Sequence, residues 1–262
     1  MGLPKELIDY IMDMLCDDGP ALKACSLTCK AMFASTRRLL HQTLRLPALH
    51  IPTRAKKSVP QKSNPSDAEL RVLTYRTERG LLQYTRRVHI SLIGYYIQHT
   101  APFHLHRFQS LDRVHTISIA VYDTVIWAKY FQTHFAHFRP TITSLTLTQP
   151  VTPCGQILQF ALQFPMLQNL CLEWLMCADI TSNPAALTVA HQSPPLGGHL
   201  RLAGVDTVAN WPVGFIHEHP NGINFHSVEL EDFSGDGAQH ILDMCLHTLQ
   251  SLAIVPHSTG TN

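Results

Sequence analysis

The chain has 262 residues, 45% of them hydrophobic and 15% charged, and a formal net charge of +1 at pH 7. This is the composition of a folded protein with a sizeable core, arranged as one large domain or as a small module joined to a larger one. The near-balance of charge supplies no field to draw the molecule onto nucleic acid or an anionic membrane, so neither partner is expected.

The first residues, Met1-Gly2-Leu3-Pro4-Lys5-Glu6, lack the basic region, apolar run and small-residue site of a secretory signal, which predicts a cytoplasmic or nuclear protein. A proline at the start of a helix loses no needed hydrogen bond, so Leu3-Pro4 opens a first helix. Leu7, Ile8, Ile11, Met12 and Leu15 then recur at spacings of three and four, one wide apolar stripe. Asp17-Asp18-Gly19-Pro20 stops that helix. A second carries Leu22, Cys25, Ser26, Leu27 and Cys29, and a third is expected from about Phe33 to Gln42. Three short helices bury little surface, so a partner or the rest of the chain should cover them.

The run Leu3-Pro4-x-Glu6-Leu7-Ile8-x-x-Ile11-x-x-x-Leu15, followed by Leu22-x-Ala24-Cys25-Ser26-Leu27-x-Cys29-Lys30 and by Arg37-Arg38, resembles an F-box of the type abundant in mushroom-forming fungi. The resemblance covers residues 1–44. It implies binding to the Skp adaptor, which bridges an F-box to a cullin scaffold so that a protein substrate held elsewhere on the chain is ubiquitinated. The residues it assigns to the adaptor contact are Leu3, Pro4, Glu6, Leu7, Ile8, Ile11, Leu15, Leu22, Cys25, Ser26, Leu27, Cys29 and Met32. Met32 stands where the family often has Trp, a smaller and more flexible anchor. The alternative is an ordinary amphipathic bundle that packs on its own C-terminal domain.

Residues 45–65 are rich in proline and in Lys/Arg, with no helical or strand periodicity, and read as a linker. Ser66-Asp67-Ala68-Glu69 has capping-box spacing and predicts a helix running towards Leu81. Beyond it one short element returns seven times: Val88-x-Ile90, Ile117-x-Ile119, Leu145-x-Leu147, Leu170-x-Leu172, Leu200-x-Leu202, Val228-x-Leu230 and Leu252-x-Ile254. Successive second positions lie 29, 28, 25, 30, 28 and 24 residues apart, and Val114, Ile142, Leu167, Phe225 and Leu249 each precede a pair by three. That spacing is similar to leucine-rich repeats, so residues 66–262 are expected to form an α/β solenoid with a parallel sheet, each unit one strand and one helix. Residues 178–198 break the pattern as an irregular excursion. The chain stops just after the last pair without a polar cap, which leaves truncation at the C-terminus open. An ordinary α/β domain with crossover helices spaces its strands similarly and is the alternative fold.

In a strand the two hydrophobes of each pair face one way, and the residues between and after them face the other. One outward row therefore reads His89, Ser118, Thr146, Cys171, Arg201, Glu229, Ala253, and the next Ser91, Ala120, Thr148, Glu173, Ala203, Glu231, Val255. His89, Glu173, Arg201, Glu229 and Glu231 are the candidate substrate contacts. Arg201 and Glu229 are expected to be neighbours, and Glu173 and Glu231 to be unpartnered and to favour a basic segment.

Catalytic motifs are absent: no Gly-x-Ser-x-Gly, P-loop, His-Glu-x-x-His or Gly-x-Gly-x-x-Gly occurs. Seventeen histidines include His104-x-His106, His134-x-x-His137 and His217-x-His219, but without a second ligand pair at finger-like spacing, so neither a metal nor a cofactor is expected. Seven cysteines, an odd number, predict reduced and mostly buried thiols. Together these readings predict a non-enzymatic substrate receptor of an SCF-type ubiquitin ligase. The alternatives are a repeat scaffold outside ubiquitination and a hydrolase hidden in an α/β sheet.

Overall fold

A computed structural model of the protein describes residues 3–46, 76, 79–92, 111–121, 138–148, 157, 160–174, 195–204, 223–231, 239, 241–243 and 245–255. It is a mixed α/β fold: three N-terminal helices and one eight-stranded sheet, all parallel, with strands in chain order.

The helices are α1 (Lys5–Met14), α2 (Gly19–Thr28) and α3 (Lys30–Leu40). Pro4 lies one position earlier than expected, as the N-cap of α1, with extended ψ of 148°. Gly19-Pro20 does more than end the first helix. Asp18 accepts a hydrogen bond from the Ala21 N–H at 2.9 Å and Pro20 falls in the first turn, so the same four residues start α2. Cys29, extended at φ −154°, separates α2 from α3 and caps the latter through its sulfur, so α3 begins three residues before the expected Phe33. Ile8, Met12, Leu22 and Leu39 form a small buried core, with Ile11, Leu15, Cys25, Met32 and Leu40 packed around it.

The strands are β1 (Thr43–Leu46), β2 (Arg87–Leu92), β3 (Thr116–Val121), β4 (Ser144–Thr148), β5 (Asn169–Glu173), β6 (Leu196–Ala203), β7 (Ile223–Glu231) and β8 (Ser251–Val255). All seven sequence pairs fall in strands β2 to β8. The β1 strand is an addition, because Leu44-x-Leu46 carries the same signature. It straddles the boundary drawn at residue 44, so Arg45 and Leu46 continue a strand and not a linker. Residues 47–65 and most of the expected 66–81 helix lie outside the described residues. Within that helix Arg76 is helical, and the chain turns at Gly80 with φ 60°. Leu196–Gly198, assigned to the irregular excursion, belong to β6.

Strands β2 to β5 enter the sheet through the same backbone contact. The N–H groups of Arg86 and Arg87 both donate to the Gln42 carbonyl, those of His115 and Thr116 to Arg86, those of Thr143 and Ser144 to His115, and those of Gln168 and Asn169 to Thr143. One carbonyl with two lone pairs thus satisfies two donors at every step. The pattern is interrupted at β6, where only His199 donates to Gln168 and the β6–β7 register shifts between Gly198 and His199. Gly198 takes φ 89°, and a Cβ there would stand 2.1 Å from the Gln168 carbonyl oxygen, so only glycine fits.

Strand alternation sends the pair residues inward. Val88, Ile90, Ile117, Ile119, Leu145, Leu147, Leu170, Leu172, Leu200, Leu202, Val228 and Leu230 are all buried in one continuous core. The residues three positions upstream line the same core: Val114, Ile142 and Phe225 are buried, Leu167 and Leu249 partly so. In the last strand Leu252 and Ile254 are 43% and 68% exposed. Of the expected intervening helices, residues 157 and 160–162 and residues 239, 241–243 and 245 are helical, and Ile157, Phe160, Ala161, Ile241 and Cys245 pack into the core.

Candidate functional site

Two exposed surfaces carry the candidate residues. The first is the outer side of the helical bundle. In α1 the inward residues Ile8 and Met12 are buried, while Leu7, Tyr10 and Met14 are exposed, as is Leu3 just before the helix. Leu7, Tyr10 and Met14 follow one another by three and four residues, so they form a second apolar stripe on α1 beside the one turned into the bundle core, with Leu3 exposed just before the helix. Leu27 of α2, 87% exposed, and Phe33 of α3 extend the uncovered apolar surface.

The residues assigned to the adaptor from sequence divide between the bundle core and its surface. Ile8 and Leu22 sit in the bundle core, and Ile11, Leu15, Cys25 and Met32 pack against it. Leu3, Pro4, Glu6, Leu7, Leu27 and Cys29 are exposed, with Ser26 half-buried. Tyr10, Met14 and Phe33 are exposed apolar residues that the sequence reading missed, although the heptad-like spacing from Leu7 to Met14 carried the signal. Polar contacts also link the helices: Ser35 donates to Asp9, Arg38 reaches Asp13 at 3.1 Å, and Arg37 donates to the Arg79 carbonyl at 2.9 Å.

The second surface is the polar face of the sheet, opposite the buried pairs. Cross-strand register places Arg45, His89, Ser118, Thr146, Cys171, Arg201, Glu229 and Ala253 in one row. Ser91, Ala120, Thr148, Glu173, Ala203, Glu231 and Val255 form the next. A third row precedes them: Thr43, Arg87, Thr116, Ser144, Asn169, His199, Ser227 and Ser251.

At the β5–β7 end the charged residues converge on Arg201. Its Nη2 donates to Glu231 Oε2 at 2.6 Å, its Nε lies 3.2 Å from Glu229 Oε1 and its Nη1 3.7 Å from Glu173 Oε1. The Nε contact is an ion pair without hydrogen-bond alignment. Arg201 and Glu229 are neighbours as expected. Glu173 and Glu231 are not unpartnered, because Ala203 between them is too small to separate them from the arginine of the adjacent row. Thr148 also donates to Glu173 at 3.1 Å, and His199 bonds Ser227 at 3.0 Å with its other ring nitrogen 3.8 Å from Glu229. One guanidinium against three carboxylates leaves a net negative patch. Arg201 is held above the ordinary arginine range, chiefly by its bond to Glu231.

Cys171 lies beside this cluster. Burial first and then the Glu173 carboxylate push its thiol up to about 12, so it is protonated at neutral pH and does not supply a thiolate nucleophile. The other described cysteines correct the expectation of mostly buried thiols: Cys16 and Cys29 are exposed, Cys25 is half-buried, and only Cys245 is buried. The three histidine pairs lie outside the described residues. Among the described residues no group of three or more His, Cys, Asp or Glu is arranged to hold a metal. No described helix is long and apolar enough to cross a membrane.

At the β1–β2 end the sign reverses. Arg45 and Arg87 are exposed and have no acidic partner among the described residues. Between them His89 is half-buried. Burial, then Arg45 and Arg87, lower its pKa, which keeps the ring neutral at neutral pH.

No family model, curated protein or solved structure matches this chain.

Proposed function

We propose that the protein is a substrate-recognition adaptor of an SCF-type ubiquitin ligase: the N-terminal bundle is an F-box that docks the Skp adaptor, and the sheet domain is a leucine-rich-repeat-like solenoid that holds a protein substrate. The observation that carries this reading is the uncovered stripe of Leu7, Tyr10 and Met14, with Leu3 just before it, on a bundle whose own core is only Ile8, Met12, Leu22 and Leu39. A module this small gains stability when a partner covers such a stripe. The carbonyl contact repeated at the entries of β2 to β5 and the strict strand order support the solenoid reading, since each unit buries its apolar face only against its neighbours. In this role ubiquitin transfer occurs on the cullin-bound partners, through the scaffold that the Skp adaptor reaches.

The test is co-purification of the full chain with the Skp adaptor and with a cullin. Pro4→Ala combined with Leu7→Ala should abolish adaptor binding while the far-UV circular dichroism spectrum is retained, and a folded double variant that binds fully would overturn the F-box assignment. One observation favours a second reading, a repeat scaffold that works outside ubiquitination: Ile8 and Leu22, two residues the resemblance assigns to the adaptor, are spent on the bundle core. Adaptor binding without cullin association would support that reading.

A further inference from the structure

We propose that the polar face of the sheet binds an extended peptide segment of mixed charge lying across the strands, its acidic end over Arg45 and Arg87 and its basic end over Glu173, Glu229 and Glu231. This deepens the proposed function by naming the class of substrate segment, and it rests on the sheet being the substrate surface.

The face is charged at two ends and neutral between them. Arg45 and Arg87 mark β1 and β2, and the net negative cluster around Arg201 spans β5 to β7. The intervening strands present Thr116, Ser118, Ala120, Ser144, Thr146 and Thr148, all small, half-buried and uncharged. Every hydrogen bond and ion pair that the three glutamates and Arg201 make among the described residues stays within the face. Small side chains keep the floor low and admit a backbone, while the longer charged side chains stand at either end as rims. A face of one sign would select a basic or an acidic partner. This one rejects both over half its length, because like charges meet at the wrong end.

Geometry also sets the spacing. From β2 to β6 there are four strand intervals of about 4.8 Å, about 19 Å across the sheet. An extended chain advances about 3.3 Å per residue, so about six residues separate the acidic and basic groups of the ligand. A second copy of this chain, its face rotated so that unlike ends meet, is the competing occupant. The low floor of small residues favours the peptide, because a second sheet would bring its own raised charged rims against it.

The experiment uses the purified full chain and fluorescent synthetic peptides: Asp-Glu-Asp and Arg-Lys-Arg joined by six Gly/Ser residues, the same ends joined by one residue, and all-acidic and all-basic peptides of equal length. The six-residue mixed-charge peptide is expected to bind at least about tenfold more tightly than the other three at low salt, with the difference shrinking as salt is raised. Arg45→Glu with Arg87→Glu should transfer the preference to the all-basic peptide. Equal binding of the all-basic and mixed peptides by the unmodified chain would overturn the proposal, as would dimerisation in sedimentation that either end's charge reversal abolishes. Failure of the underlying reading has a different signature. If reversal at both ends leaves the set of proteins captured by the chain unchanged, the sheet face is not the substrate surface at all. If that set changes while no peptide discriminates, the surface stands and the mixed-charge segment is wrong.

Discussion

The helical bundle and the sheet solve the same problem of burial in opposite ways. Among the described residues, the strands and the segments packed on them commit 27 buried residues to one continuous core, whereas the bundle closes on four and leaves Leu3, Leu7, Tyr10, Met14, Leu27 and Phe33 exposed. The difference follows from size and periodicity. Stacked strands share each core residue with neighbours on both sides, while three short helices have too little interior to absorb two apolar stripes on α1. Both regions also expose large apolar residues, in the sheet region Met166, Trp174, Leu246 and Leu252, Ile254 and Val255 of the last strand, so what distinguishes the bundle is how little core it sets against its exposed stripe.

The comparison is broken most severely at Gly198, where φ 89° and a Cβ 2.1 Å from the Gln168 carbonyl leave no room for a side chain. Gly198→Ala should cost more than about 4 kcal/mol, through strain at a glycine-only conformation and a backbone clash. Chemical denaturation checks this, and an unchanged midpoint would mean that the β6 irregularity is not required.

Next in size, Leu147→Ala in the sheet core should cost about 2–5 kcal/mol, because Leu147 is completely buried. Leu27→Ala, at a residue 87% exposed, should change stability by less than about 0.5 kcal/mol. Equal effects on the unfolding midpoint would erase the distinction between the two regions.

Acidification sharpens the comparison at the junction and the β1–β3 end. His41, His89 and His115 are each lowered from 6.5, in every case chiefly by burial and then by arginines: Arg76 and Arg37, Arg45 and Arg87, Arg86 and Arg87 respectively. The unfolded chain then binds protons first. Their contribution is present above pH 6.5 and is lost as pH falls through the lower folded values. The melting temperature should hold between pH 8 and pH 7 and drop on further acidification, and His89→Gln should flatten the drop. A melting temperature that rises below pH 6.5 would contradict this sign.

The smallest effect is expected at the Arg38 and Asp13 pair, 3.1 Å apart with side chains 47% and 58% exposed. Solvent screens such pairs, so Arg38→Ala should cost less than about 1 kcal/mol and should lose even that in high salt. A loss of several kcal/mol in denaturation would show that the pair, and not the four-residue core, holds α1 to α3.

Much of the sheet is legible in the sequence. A two-residue alternation repeated at a near-constant period fixes which side of each strand faces inward, and so the seven pairs and both outward rows emerged in correct register. The eighth strand escaped because Leu44 to Val88 is a much longer interval than the others, and because Arg45 lay in what composition marked as a linker. The sequence by itself thus determined the strand periodicity, the inward and outward assignment and the presence of three short N-terminal helices, since these depend on local spacing. Only the tertiary structure decided that α1 turns Ile8 inward and Tyr10 outward, and that a single arginine gathers three glutamates from the strands on either side of it and from its own neighbouring row. Those outcomes depend on which helix packs against which stripe and on how far a long side chain reaches across adjacent strands, distances that no spacing along the chain encodes.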